Sequence, residues 1–296
     1  MGIKNNKIKI FCKQKRPLVC LTAYNKHMAT IVDPFCDLVL VGDSLAMVLY
    51  GETNTNNISL QTMIGHGKSV AIGCSKSIVI VDMPKGTYEA SAKLALKNAK
   101  KILKETGCDG VKLEGGVKIS HCIKLLVKNK IPVMAHIGLM PQQVKYPKDY
   151  RVKGRFLEEQ ELIISDLKAV EKAGAFSVVI EAVTEKLADK LTKISKIKTI
   201  GIGASKKCDG QILVTEDLLG FFSKNAKFVK KYADISSYIS KAVKKFKSDS
   251  LVRLDSAELL MQSDFIELFI CLANFSASNV SAVSPLCERV TNRVLF

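Results

Sequence analysis

The chain has 296 residues, 47% of them hydrophobic, with a formal net charge of +17 and a sequence pI near 9.4. That is enough apolar material for one large α/β domain or two small ones, and it excludes a mainly disordered chain; no apolar run approaches the ~18 residues of a membrane span, and residues 1–7 show no signal-peptide pattern. The lysines are scattered along the chain with no interleaved aromatics and no Trp, so the charge is read as solvated helix faces, with no nucleic-acid or membrane partner expected.

Short β-branched apolar runs alternate with helical patterns along the chain. Strands are expected at 18–23, 38–42, 77–81, 110–113, 132–137, 177–180, 199–203 and 212–215. Helices are expected at 88–106, 118–130 and 158–173. The first of these sets Ala92, Ala95, Leu96, Ala99, Ile102 and Leu103 on one face and stops at Gly107. Strands apolar on both faces, each followed by a helix, imply a parallel sheet covered by helices. Eight such units predict an α/β fold of the (βα)8 TIM-barrel type over residues 1–250. An open doubly wound sheet is the alternative, but no Gly-x-Gly-x-x-Gly fingerprint follows a strand.

Residues 251–296 differ in composition. They hold no lysine and three arginines, and they are expected to be a C-terminal extension of open role with an amphipathic run at 257–273. The nine cysteines are odd in number and form no Cys-x-x-Cys pair, which disfavours a zinc knuckle or a disulfide scaffold and fits a reducing cytosol.

In a (βα)8 barrel the chemistry gathers where strands end. The apolar runs here close on Asp43 and Ser44, Asp82, Lys112 and Glu114, His136, and Glu181. Taken singly, Asp43 and Asp82 could be helix caps, Lys112 a cross-strand ion pair and His136 a core imidazole. Taken together, the carboxylates would repel and need neutralising. Oxygen ligands from two Asp and a Glu suit Mg²⁺.

The motifs then carry a resemblance. They are Leu21-Thr22-Ala23-Tyr24, Val41-Gly42-Asp43-Ser44-Leu45, Val81-Asp82-Met83-Pro84, Lys112-Leu113-Glu114-Gly115-Gly116, His136-Ile137-Gly138-Leu139 with Pro141-Gln142, the 150–155 segment, Gly201-Ile202-Gly203-Ala204, and Cys208-Asp209-Gly210-Gln211. In that order they resemble the ketopantoate hydroxymethyltransferase family of the phosphoenolpyruvate/pyruvate-like barrels. The resemblance implies magnesium ligation by Asp43, Asp82 and Glu114. It implies 2-oxoacid binding by Asp43, Ser44, Asp82 and Lys112, and a proton-accepting Glu181. His136 is placed near the substrate without an assigned role.

The implied reaction is transfer of a hydroxymethyl group from 5,10-methylenetetrahydrofolate to 3-methyl-2-oxobutanoate in pantothenate biosynthesis. A cytoplasmic homo-oligomer, a decamer, is implied as well. Two other readings stay open at this point: a magnesium-dependent C–C lyase or mutase of the same superfamily, and a basic nucleic-acid-binding barrel. The chain departs from the family pattern at Asn56-Asn57, Lys85, Met140 and Thr184.

Overall fold

The computed structural model describes residues 2–144, 149–223 and 225–251. Eight strands form a closed parallel barrel in sequence order: β1 (Leu18–Thr22), β2 (Leu38–Val41), β3 (Ile78–Asp82), β4 (Gly110–Glu114), β5 (Val133–Gly138), β6 (Ser177–Glu181), β7 (Lys198–Ile202) and β8 (Gly210–Leu213). β8 closes on β1 in register, Leu18 opposite Gly210. The barrel expected from the alternation of elements is the one observed.

The helices are α1 (Gly2–Lys13), α2 (Lys26–Val32), α3 (Leu45–Leu49), α4 (Leu60–Gly73), α5 (Ala92–Thr106), α6 (Ser120–Lys128), α7 (Leu157–Ala173), α8 (Glu185–Ile194), α9 (Thr215–Leu219) and α10 (Ile235–Leu251). One compact unit ends at Asp234, and α10 is the described part of a second. Residues 252–296, including the 257–273 run, lie outside the described residues.

Two element boundaries differ from the sequence expectation. The helix expected from residue 88 starts at Ala92, because Ser91 Oγ accepts the Leu94 amide and caps it. That leaves Tyr88 in the loop, buried. The last strand occupies Gly210–Leu213 instead of 212–215, because the Thr215 amide bonds the Thr22 hydroxyl and opens α9.

The period of two along each strand divides the apolar residues into two layers. Val39, Val41, Val79, Val81, Val111, Leu113, Val133, Ala135, Val178 and Ile180 pack outward with the helices. Leu18, Cys20, Leu38, Leu40, Ile78, Ile80, Met134, Val179, Ile200 and Ile212 fill the interior. Ile8 and Phe11 of α1 join this inner cluster. Continuing the inward face toward the C-terminal end of the strands leads from Ile80 to Asp82, from Met134 to His136 and from Val179 to Glu181. Lys112 and Glu114 occupy the same positions on β4. The interior is therefore apolar through its lower layers and ionisable at its mouth.

Candidate active site

The strand register sets the mouth. Asp82 stands opposite Lys112, Glu114 opposite His136, and Gly138 opposite Glu181. Lys112 Nζ lies 2.6 Å from Asp82 Oδ1, both side chains buried. Asp82 Oδ2 accepts the Asp43 amide at 3.0 Å. His136 sits between two carboxylates, with Nδ1 3.3 Å from Glu114 Oε1 and Nε2 3.3 Å from Glu181 Oε2. These are close charge pairs; neither ring nitrogen makes an aligned hydrogen bond. Ser44, which opens α3, shares a hydrogen bond of 2.9 Å with the Tyr24 hydroxyl. All seven residues picked from the sequence thus meet at the C-terminal mouth.

Two glycines of the motifs have local reasons. A Cβ at Gly116 would fall 1.9 Å from Asp166 Oδ1, the oxygen that accepts the Val117 amide and docks the loop after β4 onto α7. Gly138 has φ +93°, a conformation that favours glycine, and a Cβ there would stand 2.5 Å from the Glu181 carbonyl. Ala182, directly after Glu181, also has positive φ, +47°. Its amide donates to Ile202 O and its carbonyl accepts from Lys153 N, so the backbone is pinned on both sides.

The electrostatics divide the carboxylates. Burial pushes Asp43 up to about 8, with Asp82 and Glu114 adding repulsion. Burial also raises Asp82, against the pull of Lys112. Glu114 moves the other way: burial opposes it, but the His136 and Lys112 charges hold it below the usual carboxylate range. Burial would lower His136, yet Glu114 and Glu181 push it up to about 9, so it stands as an imidazolium at neutral pH. Lys112 is likewise raised by three carboxylates despite its burial. The Glu181 side chain is 20% exposed, against 2% for Asp82 and Glu114, so it is the carboxylate open to an entering molecule.

Sequence reasoning missed two members of the site. Gln142, on the short 3₁₀ turn after β5, donates its amide to Glu114 Oε2 and its Nε2 to Asp43 Oδ2. Tyr88 donates its hydroxyl to Gln142 Oε1. The Pro141-Gln142 motif was the available signal for the first; Tyr88 was hidden in the expected helix. The side chains at the departures from the family pattern make none of the hydrogen bonds of this network. Lys85 is exposed, Met140 Sδ accepts from Gln143 and Thr184 Oγ1 donates to Gly154 O. Asn56 Nδ2 reaches Val144 O at 3.5 Å.

Among the described residues no three His, Cys, Asp or Glu side chains already close around one point as a cage would. The donor chemistry still fits a hard divalent cation with open positions. Asp43 and Asp82 adjoin, both are buried, and Asp43 Oδ1 has no hydrogen bond among the described residues. Mg²⁺ is typically held by one or two carboxylates, its other positions taken by water or substrate oxygens.

Residues 3–253 match the family model described as ketopantoate hydroxymethyltransferase. The 3-methyl-2-oxobutanoate hydroxymethyltransferase of Pelagibacter ubique (strain HTCC1062) is 50% identical over 247 residues, 83% of this chain and 95% of that one. The protein of the same name from Rhizobium rhizogenes (strain K84 / ATCC BAA-868) is 50% identical over 242 residues, 81% of this chain and 89% of the other. Among solved structures, the phosphoenolpyruvate phosphomutase of Streptomyces platensis subsp. rosaceus superposes with a TM-score of 0.61 at 10% identity, covering 89% of this chain and 96% of that one. At that identity the likeness is one of fold.

Proposed function

The chain belongs to the ketopantoate hydroxymethyltransferase family, and from this premise we infer that it transfers a hydroxymethyl group to 3-methyl-2-oxobutanoate, with 5,10-methylenetetrahydrofolate as donor. The products are 2-dehydropantoate and tetrahydrofolate, on the route to pantothenate. The lyase and mutase reading gives way to this one, because those similarities are of fold alone.

The observation that carries the mechanism is the unequal burial of the mouth carboxylates. Asp43, Asp82 and Glu114 are buried beside a single lysine, while Glu181 is partly open on the far side of His136. Asp43 and Asp82, with Glu114, would hold Mg²⁺. Bound there, the ion supplies Lewis-acid polarisation of the 2-oxo group. Lys112 provides a fixed positive donor where oxygen charge develops, a point-charge task that suits lysine. Ser44, held by Tyr24, offers a hydroxyl to the substrate carboxylate. Glu181 takes the C3 proton, and the His136 cation keeps that carboxylate in place. Water is the third reactant: it takes the one-carbon unit off the two folate nitrogens at the formaldehyde level and leaves tetrahydrofolate. The C3 carbanion adds to that carbon, and the resulting alkoxide takes back the proton held by Glu181 to become the hydroxymethyl group.

The test is hydrogen–deuterium exchange at C3 of 3-methyl-2-oxobutanoate, with and without Mg²⁺. Exchange that needs the metal and proceeds without folate is expected. Exchange indifferent to chelator would overturn the assignment. We further infer a cytoplasmic homo-oligomer, a decamer by the family resemblance. In the structure, no helix among the described residues is long and apolar enough to cross a membrane. Residues 251–296 are proposed to be dispensable for the barrel, which a truncation assayed for C3 exchange checks directly.

A further inference from the structure

Gln142 is 2% exposed and Tyr88 1%, and together they tie two mouth carboxylates that are 71 positions apart in the chain, Asp43 and Glu114. The direction of the Gln142 carboxamide follows from its partners. One end faces Asp43 Oδ2 at 2.8 Å and the Met83 carbonyl at 3.0 Å. The Met83 carbonyl only accepts, so that end must be the NH₂, which also donates to Asp43 Oδ2. The other end is then an acceptor, and the Tyr88 hydroxyl stands 2.7 Å from it. The same hydroxyl lies 3.1 Å from the Glu114 carbonyl and 3.2 Å from the Glu114 amide, which donates to it. The Gln142 amide closes the circuit on Glu114 Oε2 at 3.0 Å.

We propose that Gln142 is a positioning residue for Asp43, with its own orientation set by Tyr88. The carboxamide holds Asp43 Oδ2 to the protein wall and leaves Oδ1 for the group that enters the mouth. Tyr88 gives its proton to Oε1 and so prevents the amide from turning its oxygen toward the Asp43 carboxylate, where two acceptors would meet. Because the Gln142 amide also fixes Glu114, the turn after β5 sets the spacing between the acids of β2 and β4. The proposal rests on the reading above that Asp43 holds the metal and the 2-oxoacid. Neither Gln142 nor Tyr88 touches the reacting atoms in this account; both act through Asp43.

The test uses the full chain with Gln142→Met, Tyr88→Phe and the double variant. Metal affinity is read by calorimetric Mg²⁺ titration of the apo protein, beside KM and kcat for C3 exchange and the melting temperature. Removing an outer partner of a metal ligand typically costs about 10–100-fold in affinity. Gln142→Met is expected to weaken Mg²⁺ binding and raise KM for 3-methyl-2-oxobutanoate by that order. Its kcat at saturating metal and substrate should stay within about threefold, because Glu181 is untouched. Tyr88→Phe should show a smaller loss of the same kind, and adding it to Gln142→Met should cost nothing more, because it acts only through Gln142.

Wild-type Mg²⁺ affinity in Gln142→Met overturns the proposal. So does a parallel fall of affinity, kcat and melting temperature, which marks a structural residue. Full additivity of the two substitutions overturns the Tyr88 part. If Gln142→Met does not fold, the affinity and KM–kcat split of Tyr88→Phe decide alone. A wild-type protein that binds Mg²⁺ but exchanges no C3 proton would instead sink the functional reading, and the coupling between Tyr88 and Gln142 would still be measured in metal affinity.

Discussion

The two ends of the barrel both collect aspartates, and they treat them in opposite ways. At the N-terminal end each acid meets backbone donors. Asp33 accepts the amides of Ser75, Lys76 and Ser77 and the Ser75 hydroxyl. Asp37, Asp109 and Asp209 stand immediately before β2, β4 and β8, and each caps the second residue of the preceding strand: Val19, Val79 and Thr199. Burial works against ionisation there, but the amide hydrogen bonds hold Asp33 down to about 2 and Asp209 below its ordinary value. At the mouth the acids face one another, and Asp43 is forced up to about 8. One end uses carboxylates to secure strand starts; the other crowds carboxylates together, and Lys112 and His136 pair with some of them while Asp43 is left disfavoured as an anion.

The pair β5–β6 breaks the lower pattern. Phe176 takes the place before β6 where the others have Asp, and it meets Phe11 of α1 edge-on at 5.9 Å. The barrel floor is thus closed by an aromatic contact on the side where no carboxylate caps.

If the comparison holds, substitutions at the two ends should separate activity from stability. The largest effect belongs to Glu181→Gln. Exchange at C3 and hydroxymethyl transfer should fall together by about 10²–10⁴-fold, the usual contribution of one general base. Affinity for Mg²⁺ and the 2-oxoacid should be nearly kept, as calorimetry would show. Near-normal exchange in this variant would move the base role away from Glu181.

Next come Asp43→Asn and Asp82→Asn. Each should weaken Mg²⁺ binding by more than tenfold, and the pair should be strongly non-additive because both act on one ion. In metal-free protein Asp43→Asn should melt no lower than wild type, because burial and the neighbouring Asp82 and Glu114 already oppose ionisation of that carboxyl. A clear loss of melting temperature would erase the contrast between the ends.

Asp33→Ala should do the reverse. It strands three backbone amides, at a cost of about 2–4 kcal/mol, or about 2–4 °C of melting temperature per kcal/mol for a barrel of this size. kcat/KM below the transition should be unchanged. The sign with pH is fixed by the depressed carboxyl: the Asp33 contribution is fully present above about pH 4 and is lost as pH falls toward about 2. The melting temperatures of wild type and Asp33→Ala, followed as a function of pH, should therefore draw together toward the acid end. A gap that widens below pH 4 would refute the capping account.

The smallest effect is expected for Ala182→Gly. Glycine tolerates the φ of +47° without strain, so stability should change by less than about 1 kcal/mol, with a gain if the pinned backbone does not loosen. A large loss of C3 exchange with unchanged stability would show that the methyl group of Ala182 itself helps to aim Glu181.

The barrel and the mouth were legible in the sequence for one reason. Strand residues alternate, and an apolar run that ends in Asp, Glu or His reports its own inward-facing last position, as Ile80 to Asp82 and Val179 to Glu181 do. Even the lower ring leaves a trace, since Cys-Asp precedes β2, β4 and β8 alike. The start of α5 was not legible, because apolar periodicity continued through Tyr88 while a serine hydroxyl decided the boundary. Ion pairing at the mouth, the imidazole of His136 shared by Glu114 and Glu181, and the Gln142–Tyr88 circuit came only from tertiary structure. Their partners lie 22 to 99 residues apart in the chain. No local period encodes such distances. Which carboxylate is buried and which is open depends on how the loops fold over the barrel, and so the sequence determined the set of acids while packing assigned each one its charge.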